Sequence, residues 1–239
     1  MATSIDDNAA ARAAILGRVR KALGRPDDAA GARADADAYV FAHARGPGPV
    51  AVPSGDLLTL FIDRAGHMGS TIEHIDSRYA IPAAVSRYLD ALVLPPAIAE
   101  QKSHAGVCWP EFADLDWGAQ GLRIESRPTM GRDRLGITGC FCAIAETGTL
   151  VFMPGAEMHT ATAMLPDTHV VVLRAIDVVA TMEDAFARIR AARTAMPRAV
   201  HLISGPSRTG DIEQTIVLGA HGPYRVHVLV QAAGRASQQ

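Results

Sequence analysis

Short runs of β-branched residues alternate along this chain with amphipathic helical stretches, and this alternation limits the folds available to it more than any other feature. Residues 149–153 and 169–173 are compact β-rich runs, and valines alternate within 224–230. Thr181, followed three residues later by Asp184, predicts the capped start of a helix. The same patterns predict further elements: helices over residues 57–68 and 82–92, and strands over 70–75, 105–109 and 199–203. Together these elements predict an α/β fold of three layers, in which helices flank a mostly parallel sheet.

The N-terminal part of the chain has a different composition. Residues 7–23 carry apolar side chains at helical spacing, which predicts one helix. Residues 24–53 are rich in alanine, aspartate, glycine and proline, which is typical of a linker or a surface arm. We therefore predict a helical arm with its linker over residues 1–53 and an α/β domain over 54–235.

The overall composition excludes several classes of protein. The chain has 239 residues, of which 49% are hydrophobic and 20% charged, and its formal net charge is -2. This balance is typical of a globular protein and argues against a nucleic-acid-coating or membrane-coating role. No apolar run approaches the roughly 20 residues of a membrane helix. Asp6 and Asp7 do not suit a signal peptide, so the sequence predicts a reduced, cytoplasmic protein without a membrane span.

The first candidate site is a loop that begins at residues 136–139 and leads into the polar turn between two apolar runs at residues 143–151. Glu146 is a candidate general base or nucleophile. Thr147 and Thr149 offer hydroxyl groups, and Gly148 allows a tight turn that can approach a ligand. The alternative is a purely structural turn with a capping threonine.

The second candidate site is the polar segment 204–213, which follows an apolar strand ending at Ile203. Ligands of open α/β sheets bind beyond the carboxyl ends of strands, so this segment is a candidate anion site. Arg208 can bind a carboxylate or phosphate through two hydrogen bonds. The alternative is a polar helix start. The predicted ligand-binding residues here are Ser204, Gly205, Ser207, Arg208, Thr209 and Asp211.

The third candidate site is residues 218–223, where His221 lies between glycines and a proline. It is the best-placed general acid or base among the nine histidines. The histidines and the three cysteines lack metal-ligand spacing, so no metal site is predicted. The cysteines are interpreted as small buried residues. Four arginines form a local basic stretch that suits an anionic ligand, an acidic partner or a solvated loop: Arg123, Arg127, Arg132 and Arg134.

Several of these segments, taken in order, resemble the signature of the lactate-utilisation (LUD) domain family. They are residues 136–138, 143–151 and 165–172. Residues 204–213 and 219–223 look most like the lactate-utilisation protein C branch of that family. Several ordered motifs are far more specific than any one of them.

The resemblance spans roughly residues 57–230 and implies a fold like that of the sugar-phosphate isomerase and CoA-transferase superfamily. It also implies a role in oxidising L-lactate to pyruvate beside two iron–sulfur partner proteins, with no cofactor in this chain. A small carboxylate ligand would bind at Arg208, Ser207 and Thr209, and Glu146 or His221 would handle a proton.

Two other functions stay open at this point. One is a stand-alone CoA-transferase-like or isomerase-like enzyme acting on an anionic small molecule, with Glu146 as its nucleophile. The other is a regulatory or scaffolding module with a vestigial pocket. In that case the arm before Pro53 and the arginine stretch would be docking surfaces.

Overall fold

The computed structural model describes residues 5–24, 30–43, 46, 55–94, 103–153, 155, 158–212 and 215–232. By its internal contacts the chain divides into two units, Met1–Val50 and Ala51–Gln239. The predicted domain boundary after residue 53 lies outside the described residues and stays a prediction.

The N-terminal unit contains two helices. Helix α1, Ile5–Ala22, confirms the predicted helix. Helix α2, Ala30–Ala42, lies where the composition predicted a linker. Alanine occupies nearly every second position of α2 and has the highest helix propensity, which explains why a helix forms there. The described side chains of α2 are all exposed.

A parallel sheet forms the centre of the second unit. Its strands among the described residues are β1 (Thr71–Ile75), β2 (Ala105–Cys108), β3 (Arg123–Ser126), β4 (Leu135–Gly139), β7 (Thr168–Arg174) and β12 (Arg225–Gln231). They lie in the order β1, β12, β7, β4, β2, β3, and every neighbouring pair is parallel. The predicted parallel sheet with flanking helices is confirmed.

A second sheet, which the sequence did not predict, packs against the first. Its described strands are β5 (Cys142–Ile144), β6 (Thr149–Phe152), β8 (Val178–Val179) and β9 (His201–Ile203). Side chains of a strand point alternately to its two faces. Leu150 and Phe152 accordingly join the main core, whereas Val151 and Met153 pack in a separate cluster with Ile189. This sheet is therefore covered on both faces.

The helices of this unit follow the predicted pattern. They are α3 (Leu57–His67), α4 (Ile81–Ala91) and α6 (Met182–Ala192); the single turn α5 (Ala161–Met164) was not predicted. Thr181 and Asp184 form the predicted capping box at the start of α6. In α6, Ala185 and Ile189 are buried, whereas Met182 is 38% exposed. No helix among the described residues is long and apolar enough to cross a membrane.

Two segments interpreted as loops are strands. Residues 136–139 belong to β4, a buried central strand of the parallel sheet. The segment after Ser204 leads into β10 (Arg208–Ile212), which pairs antiparallel with β11 (Thr215–Leu218). The alternative interpretation of this segment as a polar helix start is therefore wrong. Glycine and hydroxyl residues suit turns, but backbone pairing in a sheet outweighs that preference here.

Candidate functional site

The three predicted loops form one cluster, which hydroxyl groups help to connect. The Thr149 hydroxyl is hydrogen-bonded to Thr147 Oγ1 at 2.7 Å and to Ser204 Oγ at 2.7 Å. The first loop thus joins the start of the second. Thr149 is buried, whereas Thr147 is exposed.

The second and third loops meet at Ser207. The Ser207 N–H donates to the carbonyl of Pro223 at 2.9 Å, and the Ser207 carbonyl accepts from the N–H of Gly219 at 2.9 Å. The Ser207 hydroxyl accepts a longer hydrogen bond, 3.3 Å, from the N–H of His221. The His221 side chain itself is exposed.

Helix α3 lies against both the first and the second loop. Gly148 has φ of 66° and is buried, and a Cβ added to it would lie 2.4 Å from the backbone nitrogen of Ala65. Arg208 Nη2 donates to the carbonyl of Met68 at 2.9 Å, and buried Gly205 lies directly beside Met68. The Arg208 cation thus binds a carbonyl at the carboxyl end of α3, where the helix dipole favours positive charge.

The remaining predicted residues have different surroundings. Glu146 Oε1 accepts a hydrogen bond from the N–H of Met182 at 3.0 Å, so this carboxylate helps to cap α6. Thr209 lies in β10 opposite Val217. Asp211 also lies in β10, and its side chain is outside the described residues. Among the described contacts none joins the Glu146 and His221 side chains, and the catalytic and binding roles of the whole set stay predictions.

The loop cluster lies at the amino ends of the strands of the main sheet, whereas the sequence predicted a site at their carboxyl ends. The third loop leads directly into the first residue of β12, and Met68 precedes β1. These are the amino ends of parallel strands. The strand before Ser204, β9, belongs to the second sheet, so this loop does not follow the carboxyl end of a strand of the parallel sheet.

The carboxyl edge of the main sheet instead carries a pocket of about 440 Å³. Trp109 follows β2, Cys140 follows β4, and Arg174 ends β7, so adjacent parallel strands all contribute to it. This is the usual ligand position in an open α/β sheet. The remaining lining residues are Glu111, Phe141, Met153, Met158, Arg188, Ala192 and Arg193. Sequence reasoning missed this pocket, although a search of the residues just after each parallel strand would have found its centre.

A buried carboxylate positions two of the arginines in this pocket. Asp177 is 3% exposed. Its Oδ2 accepts from Arg174 Nε at 2.5 Å, and its Oδ1 accepts from Arg188 Nη2. The guanidinium of Arg188 also lies over the Phe141 ring, 5.5 Å from its centre. A shared buried anion of this kind holds both cations in place.

Glu111 places a carboxyl group in the same pocket. The residue is exposed as a whole, but its carboxyl end lies against the backbone of Gly139, where an added Cβ would be 2.4 Å from Oε1. Loss of water around the carboxyl raises the pKa of Glu111, while the Gly139 N–H, Arg174 and Arg78 partly oppose this rise. A carboxyl with a raised pKa suits proton transfer near neutral pH.

The cysteines are in their protonated forms. Loss of hydration raises the pKa of Cys108 and of Cys142 to about 11 and raises that of Cys140 as well. Among the described residues no group of three histidine, cysteine or acidic side chains is arranged to hold a metal ion.

The basic stretch lines a second, smaller pocket of about 320 Å³. Arg127 pairs with Asp133 at 2.8 Å, and Arg134 pairs with Asp167 at 2.8 Å. Pairing with carboxylates reduces the positive charge that this smaller pocket presents to an anion.

Comparison with known proteins identifies the family. The sequence profile of the LUD domain matches residues 84–230 of this chain. The chain belongs to the LUD domain family. This LUD protein is 31% identical to lactate utilization protein C of Deinococcus radiodurans over 192 residues, which make up 77% of this chain and 84% of that relative.

Other relatives match shorter parts of the LUD protein. Lactate utilization protein C of Bacillus subtilis is 29% identical over 49% of this chain and 48% of its own length. The protein of the same name from Macrococcus caseolyticus is 27% identical over 54% and 53%. A crystal structure of a DUF162 family protein from Deinococcus radiodurans superposes with a TM-score of 0.51. The superposition covers 76% of this chain and 100% of the DUF162 protein, and the two sequences are 23% identical over it. This likeness supports the α/β fold described above.

Proposed function

We propose that this LUD protein takes part in lactate utilisation, as the subunit without an iron–sulfur cluster in a cytoplasmic system that oxidises L-lactate to pyruvate. The observation that carries the proposal is the similarity to lactate utilization protein C over most of both chains. We further propose two iron–sulfur proteins as partners, following the family resemblance of the loop motifs.

The chemistry of the substrate defines what the system needs. Oxidation of lactate to pyruvate removes two electrons and two protons, one from the hydroxyl and one from the carbon that carries it. The carboxylate needs a cationic anchor, which arginine provides through paired hydrogen bonds. A nearby base must accept the hydroxyl proton. In this proposal the electrons pass to the iron–sulfur partners.

The loop cluster offers one set of groups for this task. Arg208, Ser207 and Thr209 would bind the carboxylate, and Glu146 or His221 would accept the proton. Arg208 and Glu146 each already make a contact with a helix end, at Met68 and Met182. Their contacts give each of them a structural role as well, so the test must separate folding from catalysis.

The stand-alone alternative requires a nucleophilic Glu146. Its Oε1 accepts a hydrogen bond from a helix amide, which lowers the nucleophilicity of that oxygen. This contact favours the subunit role over a covalent mechanism. A stable adduct on Glu146 after incubation with an acyl-CoA would reverse that preference.

A gene deletion tests the proposed function directly. We expect the deletion strain to lose growth on L-lactate as the only carbon source while it keeps growth on pyruvate. The wild-type gene supplied in trans restores growth on lactate. Unchanged growth of the deletion strain on L-lactate would overturn the proposal.

A further inference from the structure

The pocket at the carboxyl edge of the parallel sheet is larger than a three-carbon acid requires. Its volume of about 440 Å³ falls within the range of about 300–1,000 Å³ that is typical of pockets for larger small molecules. Four large apolar side chains line the pocket and are called its apolar wall below: Trp109, Phe141, Met153 and Met158. Lactate has only one methyl group to place against such a wall.

We propose that this pocket binds an organic carboxylate whose apolar or aromatic body is larger than that of lactate. The carboxylate group lies at Arg188 and Arg193, and the body lies against Trp109 and the two methionines. The inference goes beyond the proposed role in lactate utilisation and does not depend on it.

The charge of the pocket favours an anion. Arg174, Arg188 and Arg193 supply three cations, whereas Asp177 and Glu111 supply at most two negative charges. Burial raises the pKa of Glu111, which reduces its negative charge and strengthens the surplus. The positive surplus stabilises a bound carboxylate.

The arginines keep hydrogen-bond donors for a ligand. The described contacts with Asp177 use Nε of Arg174 and one Nη of Arg188. Each guanidinium has five N–H donors in a fixed plane. Because Asp177 holds Arg188 in place, binding of a carboxylate to this arginine costs little further side-chain entropy.

The apolar wall is also held in position. Trp109 Nε1 donates to the carbonyl of His159 at 3.1 Å, which fixes the ring. The ring of Phe152 meets it edge to face at a centroid distance of 6.2 Å. Met153 and Met158 line the pocket beside it, and thioether side chains adapt to flat apolar groups. A rigid aromatic surface beside adaptable side chains suits an aromatic ligand.

Binding of matched probes to the full-length protein tests the proposal. Isothermal titration calorimetry would compare L-3-phenyllactate with L-lactate, which lacks the ring, and with 2-phenylethanol, which lacks the carboxylate. We expect phenyllactate to bind about tenfold more tightly than either, because both the ring and the charge contribute. Equal affinity for phenyllactate and lactate, or for phenyllactate and phenylethanol, would overturn the proposal.

Two variants on helix α6 or at its end locate the bound probe. Arg193→Ala removes a cation from the pocket without touching Asp177, and we expect it to weaken phenyllactate binding about tenfold. Arg190→Ala is the matched control, since Arg190 does not line the pocket. Circular dichroism confirms that each variant is folded. Binding that Arg193→Ala leaves unchanged, or that Arg190→Ala weakens equally, would place the probe elsewhere and refute the assignment.

Discussion

The carboxyl group of Glu111 lies against Gly139, the residue at which the central strand β4 ends. A Cβ at position 139 would lie 2.4 Å from Glu111 Oε1 and would displace this carboxyl group, so the glycine leaves room for it. The end of a buried strand and an acidic group from the neighbouring loop thus form one wall of the carboxyl-edge pocket. This contact gives the pocket a titratable group.

Binding of an anion in the pocket should weaken as the pH rises. The pKa of Glu111 is raised, so more than half of this carboxyl is still protonated at pH 4.5, the ordinary midpoint, and the negative form accumulates above that pH. The negative form repels a bound carboxylate, so the affinity for phenyllactate falls as Glu111 loses its proton. Arg174, Arg78 and the Cys108 and Cys140 thiols face the same group. Calorimetric titrations at a series of pH values measure the effect.

The Glu111→Gln variant is the control for that pH series. Glutamine keeps the size and the hydrogen-bond acceptor but does not ionise over this range. We expect it to bind phenyllactate with the same affinity at each pH. A pH dependence that persists in Glu111→Gln would show that another group is responsible.

Replacement of Gly148 should destabilise the domain. Gly148 has φ of 66°, and a Cβ there would lie 2.4 Å from Ala65 N, a backbone atom of α3. Gly148→Ala therefore combines an unfavourable backbone conformation with a steric clash, and we expect a loss of about 2 kcal/mol or more in the free energy of unfolding. Gly210→Ala is the matched control, because nothing lies within 4 Å of its added Cβ. Urea unfolding that gives equal stability for both variants would contradict the packing described for the first loop.

Two buried histidines should make stability depend on pH. Burial lowers the pKa of His169 to about 3 and that of His227 to about 4, below the ordinary value of 6.5. Below pH 6.5 the unfolded chain binds protons that the folded protein does not. Stability is therefore full above pH 6.5 and is lost as the pH falls toward 4 and 3. The expected slope is about 1.4 kcal/mol per pH unit for each histidine, between pH 6 and pH 5.

The His169→Gln variant tests the share of one residue. His169 is fully buried, and its Nε2 is hydrogen-bonded to Thr138 Oγ1 at 2.8 Å, a contact that a glutamine amide can replace. We expect urea unfolding to show a slope reduced by about 1.4 kcal/mol per pH unit. A slope equal to that of the wild type would mean that His169 is not the group that titrates.

The two roles of Glu146 can be separated by substitution. Its carboxylate caps α6 through the N–H of Met182. Glu146→Gln keeps a hydrogen-bond acceptor at this position, so we expect near wild-type stability, and growth on L-lactate if His221 is the group that accepts the proton. Glu146→Ala removes the cap and should lower the melting temperature. Loss of growth with Glu146→Gln at unchanged stability would instead establish a catalytic role.

The periodicity of the sequence predicted those helices and strands whose structure depends on residues close together along the chain. The capping box at Thr181 and the valine alternation of β12 both depend on neighbours in sequence, and both formed as predicted. The second sheet could not be predicted, because its strands are short and its two buried faces depend on distant partners. The pattern of residues 136–139, rich in glycine, resembles a turn. Only the parallel neighbours β2 and β7 make it a strand.

The candidate functional site was likewise predicted only in part. The sequence identified three polar loops, and contacts such as Thr149 with Ser204 bring them together. It did not identify the pocket, because Trp109, Glu111 and Arg174 are far apart along the chain and carry no common motif. The order of the strands alone makes them neighbours.

Affinity purification of this chain from its native host, followed by an assay of L-lactate oxidation, decides whether it acts as a subunit of an iron–sulfur system. We expect two cysteine-rich iron–sulfur proteins to co-purify, and L-lactate to be converted to pyruvate only by the mixture. The sample should lose this activity when the partners are removed and regain it when they are returned. Full activity of this chain alone, or isolation of the chain without iron–sulfur partners, would contradict the proposed subunit role.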